Sequence, residues 1–182
     1  MLAGKGTLNR LELSTGEADR YKKIECQTEA LDALLVEIFL EAHPVAPERI
    51  VLDLDVTDLP LHRHQEGRFF HGYYDSYCYL PLYIFCGEHL RCARLRAADQ
   101  DAAAGSKEEV ERIVKQIRSR WPAVEIVLRA DSGFCREELM AWCEEYGVGY
   151  VFGFARNERL RRSITAARAF NQRWTAWVLW IL

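Results

Sequence analysis

The stretch Ile50-Val-Leu-Asp-Leu-Asp-Val56 decides the fold. Its residues alternate, with Leu52, Leu54 and Val56 on one side and Val51, Asp53 and Asp55 on the other. A period of two is the pattern of a β-strand, and it puts the aliphatics on one face of the sheet and the aspartates on the opposite face. A strand that carries carboxylates at its end offers rigid, hard oxygen donors, so the chemistry of the chain is sought here first.

Outward from this strand the chain divides into legible pieces. Upstream, the spacing predicts one helix over 19–42, with Leu31, Leu34, Leu35, Ile38 and Phe39 inward and Asp32, Glu37 and Glu41 outward. His43-Pro44 ends it, because proline disfavours helix at the residue before it. Residues 1–18 read as a loose lead-in broken by Gly4, Gly6 and Gly16. Downstream, a loop containing Pro60 leads to a second strand over Tyr73–Phe85. Gly87-Glu88 turns the chain into a third strand, His89–Arg96, and the two make a hairpin. Ser106 with Glu109 has the form of a capping box, followed by the stripe Val110, Ile113, Val114 and Ile117. Val124–Ala130 is a fourth strand, Arg136–Tyr146 a helix with Leu139, Met140, Trp142 and Cys143 inward, and Tyr150–Phe154 a fifth strand. Three strands in an antiparallel meander, then helix, strand, helix, strand, give an α/β fold with a mixed sheet in the ribonuclease H-like order.

The composition bounds the class. The chain has 182 residues, 49% apolar and 28% charged, which is one ordinary globular domain and excludes a disordered, collagenous or coiled-coil chain. The apolar run Trp174–Leu182 has nine residues, where a spanning helix needs about 20. No apolar core of signal-peptide length opens the sequence, so an intracellular, cytoplasmic protein is expected. Its six cysteines form no Cys-x-x-Cys pair and are read as reduced core residues. The net charge of −3 is uneven: −6 over 1–59, −2 over 60–155 and +5 over 156–182. The chain as a whole lacks the basic excess of a dedicated DNA-binding domain.

Asp55 on the first strand and Asp131 at the end of the fourth converge if those strands are neighbours. Such a pair suits Mg²⁺ or Mn²⁺, and two ions about 3.5–4 Å apart support phosphoryl transfer. Asp53 and Asp58 compete for the role, and a helix cap is the structural alternative for Asp131. His62, His64 and His71, with Gln65 and Glu66, lack the second ligand group of a zinc site and read as polar loop residues beside the active site. Tyr73, Tyr74, Tyr77 and Tyr79 fit strand packing better than base stacking. Arg129 is a candidate phosphate contact or a solvated strand-end charge. There is no phosphate-binding glycine loop, and Ser132-Gly133 lacks the Gly-x-Ser-x-Gly of a nucleophile elbow.

Longer motifs resemble one family. Leu52 through His62, Gln65-Glu66-Gly67, Gly72 through Tyr77, Arg129 through Phe134, Tyr150 through Asn157 with Leu160, and Gly4 through Glu12 together resemble bacterial insertion-sequence transposases of the Asp-Asp-Glu class. The resemblance covers about residues 1–160. It implies a ribonuclease H-like catalytic core, two divalent ions, and transposition at terminal inverted repeats. It matches Asp55, followed by x-Thr, to the first catalytic and metal-binding aspartate and Asp131 to the second. DNA bearing the inverted repeats is the implied partner, with a homodimer or a mixed assembly with an intact transposase as the implied oligomer.

Two departures qualify it. Arg63 stands where family members usually carry glycine, and no acidic residue follows Glu158, whereas the family's third acid lies on a later helix. The expected layout is an N-terminal helical segment (1–48), a partial catalytic domain (49–160) and a divergent tail (161–182) holding Arg161-Arg162, Trp174, Trp177 and Trp180. The tail reads as a shifted frame or a fused stretch, and the chain as a truncated transposase of doubtful activity, or a remnant that interferes with an intact one.

Overall fold

The computed structural model describes residues 27–61, 65, 67–155, 158 and 162. Strand β1 (Arg49–Val56) forms as its alternation demands, with Ile50, Leu52 and Leu54 buried. Two short strands that the sequence did not announce follow it, β2 (Leu59–Pro60) and β3 (Phe69–His71). The expected second strand is two strands: β4 (Ser76–Tyr79) and β5 (Leu82–Cys86). The break falls at Leu80-Pro81, where proline offers no N–H to a ladder and the Leu80 amide bonds to the Arg96 carbonyl at 2.8 Å. Strand β6 (His89–Arg94) completes the hairpin around Gly87, whose φ of +57° suits glycine in that turn.

Five strands make the main sheet, in the order β6-β5-β1-β7-β8, with β7 at Glu125–Ala130 and β8 at Gly149–Phe152. The β6/β5 and β5/β1 pairs are antiparallel, and the β1/β7 and β7/β8 pairs parallel. This is the ribonuclease H-like arrangement that the element order implies. Strands β2, β4 and β3 form a separate three-stranded antiparallel sheet between β1 and β5 in the chain.

Among the described residues three helices lie in one core with the sheet: α1 (Thr28–Ala42), α2 (Ser106–Arg120) and α3 (Glu137–Glu145). Val36, Phe39, Val110, Ile113, Ile117, Leu139 and Trp142 meet Ile50, Leu52, Leu54, Ile84, Ile126 and Leu128. Of the described cysteines, Cys78, Cys92 and Cys143 are buried, as expected of core residues, whereas Cys86 and Cys135 are half-buried; Cys26 lies outside the described residues. No described helix is long and apolar enough to cross a membrane.

The face that α1 buries differs from the expected one. Leu31, Leu34 and Ile38 are 45–49% exposed, while Asp32 is 5% exposed beside Val36, Phe39 and Leu40. Electrostatics turn the helix. Arg94 reaches Asp32 at 2.8 Å, Arg112 donates to the Asp32 carbonyl at 3.0 Å, and Gln116 donates to the Ala33 carbonyl at 2.9 Å. Buried Arg91 donates to the Leu35 carbonyl and stacks 4.6 Å over Phe39. The expected residues 19–26 of this helix lie outside the described residues.

The capping box at Ser106 also gives way. Gly105, at φ +71°, is the N-cap; the Ser106 hydroxyl donates to the Ala103 carbonyl at 2.6 Å. Glu109 turns inward instead, where Arg94 and Arg112 hydrogen-bond it. A buried carboxylate with two guanidinium partners outcompetes a surface cap.

Candidate active site at the carboxyl ends of two strands

Parallel β1 and β7 run in register, with Asp53 opposite Arg129 and Leu54 opposite Ala130. The next residue on each strand is Asp55 and Asp131. Adjacent strands lie about 4.8 Å apart, so Asp55, next to last in β1, and Asp131, the first residue past β7, stand side by side on the face away from the described helices. Both are exposed. The strand pairing that the expected convergence requires, β1 beside β7, is present.

Each carboxylate is held by one oxygen. Asp55 Oδ1 accepts from the Val56 amide at 2.9 Å. Asp131 follows β7 in extended geometry and caps the 3₁₀ turn Ser132–Phe134, its Oδ1 accepting from the Gly133 amide at 2.8 Å. The cap and the site are compatible, because the cap uses one oxygen and orients the other. Among the described residues no Lys or Arg pairs with either aspartate, and neither Oδ2 has a donor. This donor chemistry, two exposed hard oxygens on rigid strand ends, fits a divalent cation.

The two competitors separate on their partners. Asp53 is gripped by Arg129, whose Nε and Nη2 donate to the two carboxylate oxygens, the latter at 2.9 Å. That pair sets a counter-charge on Asp53 and holds two of the three Arg129 guanidinium nitrogens, with the arginine side chain still 65% exposed at the strand end. The Asp53 hydrogen bond and charge raise the Arg129 pKa. Asp58, two residues past β1, makes no such pair among the described residues. Its charge raises the pKa values of Tyr74 and Cys78, where burial is the larger cause.

Tyr74 ties the region together. Burial pushes its phenol up, and the charges of Asp58, Asp55 and Asp131 push it the same way, along with Tyr73. It lies in the turn joining β3 to β4 and packs on the small cluster of Cys78, Leu80 and Ala98. His71 on β3 sits 5.0 Å from the Tyr74 ring, and its Nδ1 is buried without a partner. His62 and His64 lie outside the described residues, as does Arg63. Among the described residues, no three His, Cys, Asp or Glu side chains stand close enough to hold a metal as a set.

Sequence reasoning missed Gly153. A Cβ there would stand 2.9 Å from the Ser132 amide nitrogen and 3.1 Å from the Asp131 carbonyl carbon. The Gly153 amide also donates to the Ala130 carbonyl at 2.9 Å. The chain leaving β8 thus lies directly on the turn that aims Asp131. The glycine was visible in the sequence, but nothing there showed what it lies against.

A family model described as Transposase DDE domain group 1 matches residues 1–176, past Leu160 where the recognisable motifs stop. Three solved structures are similar at low identity. A piggyBac transposase synaptic complex with hairpin DNA is 14% identical, with a TM-score of 0.45, over 72% of this chain and 27% of that one. The HTLV-2 integrase catalytic core domain in complex with magnesium is 11% identical, with a TM-score of 0.34, over 69% of this chain and 70% of that one. A Mos1 transposase paired-end complex with the left transposon end is 9% identical, with a TM-score of 0.38, over 91% and 63%. This chain spans about a quarter of the piggyBac chain's length. No curated protein matches.

Proposed function

This chain belongs to the Transposase DDE domain group 1 family, and from that premise we propose that Asp55 and Asp131 are its first two catalytic carboxylates. They act in insertion-sequence transposition by phosphodiester hydrolysis and strand transfer at terminal inverted repeats. The observation that carries the reading is the β1/β7 register, whose last pair is Leu54 with Ala130, so that Asp55 and Asp131 each follow that pair on neighbouring parallel chains.

Mg²⁺ or Mn²⁺ would be held by the free oxygens of the two aspartates, and would supply Lewis acidity to the phosphate and to the attacking oxygen. The chain's own contribution is placement. Strand pairing fixes both backbones, and the Val56 and Gly133 amides set the carboxylate rotamers. In the first step a water oxygen bonds to phosphorus, the bond from phosphorus to the 3′-oxygen breaks, and a 3′-hydroxyl is released. In the second, that 3′-hydroxyl attacks a target phosphodiester and displaces its 3′-oxygen.

Catalysis by residues 1–182 alone is impaired on this reading, because the last acidic residue of the sequence is Glu158. Losing one ligand of a metal site weakens and misplaces the ion. A homodimer or mixed assembly with an intact transposase, inside the cell where its DNA lies, completes the proposal. In the alternative, the chain is a non-catalytic remnant that interferes with the intact enzyme.

Mn²⁺-dependent nicking of supercoiled plasmid is the test. Slow nicking by the wild-type chain, abolished by Asp55→Asn and by Asp131→Asn alike, is the expected result. Nicking that survives both substitutions overturns the assignment, and no nicking by any form leaves the remnant reading standing.

A further inference from the structure

The Gly133 amide fixes one oxygen of Asp131, so whatever holds Gly133 in place aims the other oxygen. The turn Ser132–Phe134 holds it only loosely. Its two internal hydrogen bonds run from the Phe134 amide to the Asp131 carbonyl and from the Cys135 amide to the Ser132 carbonyl. Both are 3.4 Å long, at the outer edge of the hydrogen-bond range. The loop 97–105 supplies the support. A Cβ on Gly133 would stand 3.3 Å from the Ala102 Cβ, so this loop packs against the turn. Asp101 of the loop faces two ways. Its Oδ1 accepts from the Ala103 amide at 2.9 Å, and its Oδ2 accepts from Arg136 Nη2 at 2.7 Å. Arg136 is the N-cap of α3, two residues past the turn. Half-buried Arg96 stiffens the loop from behind. It donates to the Leu80 carbonyl at 3.0 Å, to the Ala102 carbonyl from both Nη atoms at 3.1 Å, and to the Ala104 carbonyl.

We propose that Asp101 and Arg136 are positioning residues for Asp131. Their ion pair latches the loop 97–105 onto the turn, and the Gly133 amide of that turn sets the Asp131 carboxylate. The inference deepens the proposed function and rests on it for the cation that Asp131 would hold; the latch itself rests on the contacts above. Two features make the pair a device for placement and not for stability. Its side chains are 46% and 52% exposed, and pairs so exposed contribute little to folding. With the pair open, Arg96 still anchors the loop, but only the Ala102 methyl then bears on the turn. A methyl contact is non-directional, whereas a charged hydrogen bond fixes both distance and angle. A metal ligand needs that precision, because the groups behind a ligand orient it. Asp101 itself is no ligand here, since both its oxygens are engaged.

The experiment compares the wild-type chain with Asp101→Asn, Arg136→Gln and the conservative Arg136→Lys, and reads two signals. Asp101→Asn keeps an oxygen for the Ala103 amide and removes only the charge. The first signal is the amide resonance of Gly133 in the metal-free chain, whose shift reports the hydrogen bond to Asp131. The second is Mn²⁺ affinity by titration calorimetry, with urea unfolding beside it. The expected result is a Gly133 resonance moved upfield in Asp101→Asn and in Arg136→Gln, and left in place in Arg136→Lys. Mn²⁺ affinity falls about fivefold in the first two, less than the tenfold or more of removing a ligand's direct partner, and stays within about twofold of wild type in Arg136→Lys. The urea midpoint does not move. A Gly133 resonance that neither Asp101→Asn nor Arg136→Gln shifts overturns the proposal. So does a shift that appears only together with a lowered urea midpoint, which makes the pair a structural one. Asp131→Asn separates the two readings. Mn²⁺ binding untouched by it refutes the metal assignment alone, and the Gly133 resonance of the metal-free chain still decides the latch.

Discussion

Gly153 lies against Asp131: a Cβ on residue 153 would meet the Asp131 carbonyl carbon at 3.1 Å and its Cα at 3.3 Å. These neighbours are backbone and have no flexible end to move aside. Gly153→Ala must shift either the exit of β8 or the turn that carries Asp131. Overpacking of this kind costs about 1–3 kcal/mol. The expected outcome is a folded chain of lowered melting temperature whose Mn²⁺ affinity falls about tenfold, the scale of losing a support behind a metal ligand. Titration calorimetry beside thermal melting checks it; unchanged affinity with lowered stability would show that Gly153 does not aim the aspartate.

Asp53 is the aspartate that should not matter to the metal. Arg129 occupies both its oxygens, and the arginine side chain is 65% exposed. Asp53→Asn is expected to leave Mn²⁺ affinity unchanged within twofold and to alter stability by less than about 1 kcal/mol, as for surface pairs. A loss of metal binding equal to that of Asp55→Asn would move the site one turn of the pleat back along β1.

How much of this was legible in the sequence follows from what each feature depends on. Strand β1 was readable because its alternation is local, and Asp55 with it. The second strand was misjoined because Pro81 sits inside an apolar run that a strand would otherwise use. Strands β2 and β3 are two and three residues long and exist through their pairing with β4, which no local pattern announces. The face of α1 was misread because Asp32 is buried by partners at Arg94 and Arg112, residues distant in the chain. The Asp131 cap was anticipated, but it closes the 3₁₀ turn and not α3, whose N-cap is Arg136.

The ion network under α1 gives a stability prediction. Glu109 lies between Arg94 and Arg112, and Arg94 also reaches Asp32. Glu109→Ala leaves two guanidinium groups without their shared carboxylate. A cost of about 3 kcal/mol is expected, at the low end for a buried pair because Arg94 keeps access to solvent. In urea unfolding, Glu109→Ala and Arg94→Met should be non-additive by at least about 0.5 kcal/mol. Strict additivity would mean that the two residues do not act together.

The same glutamate sets an acid limb. Burial would push the Glu109 carboxyl up, but hydrogen bonds from Arg94 and Arg112, together with their charges, outweigh burial and hold it below its ordinary value. Asp101 is lowered in the same sense by the Arg136 hydrogen bond. A folded pKa below the unfolded one makes the stabilisation complete above the ordinary glutamate value of about 4.3 and removes it as pH falls below that. The urea midpoint should hold between neutrality and about pH 5.5 and drop below about pH 4.5, with a shallower drop in Glu109→Gln. Equal slopes for the two proteins would place the acid sensitivity elsewhere.

The central claim is that Asp55 and Asp131 form one cation site, and Mn²⁺ binding followed by paramagnetic broadening of the chain's own resonances tests it most directly. The account predicts broadening centred on the ends of β1 and β7 in the wild-type chain, lost in Asp55→Asn and equally in Asp131→Asn. Broadening that persists in either variant, or that never centres on those two strand ends, would contradict it.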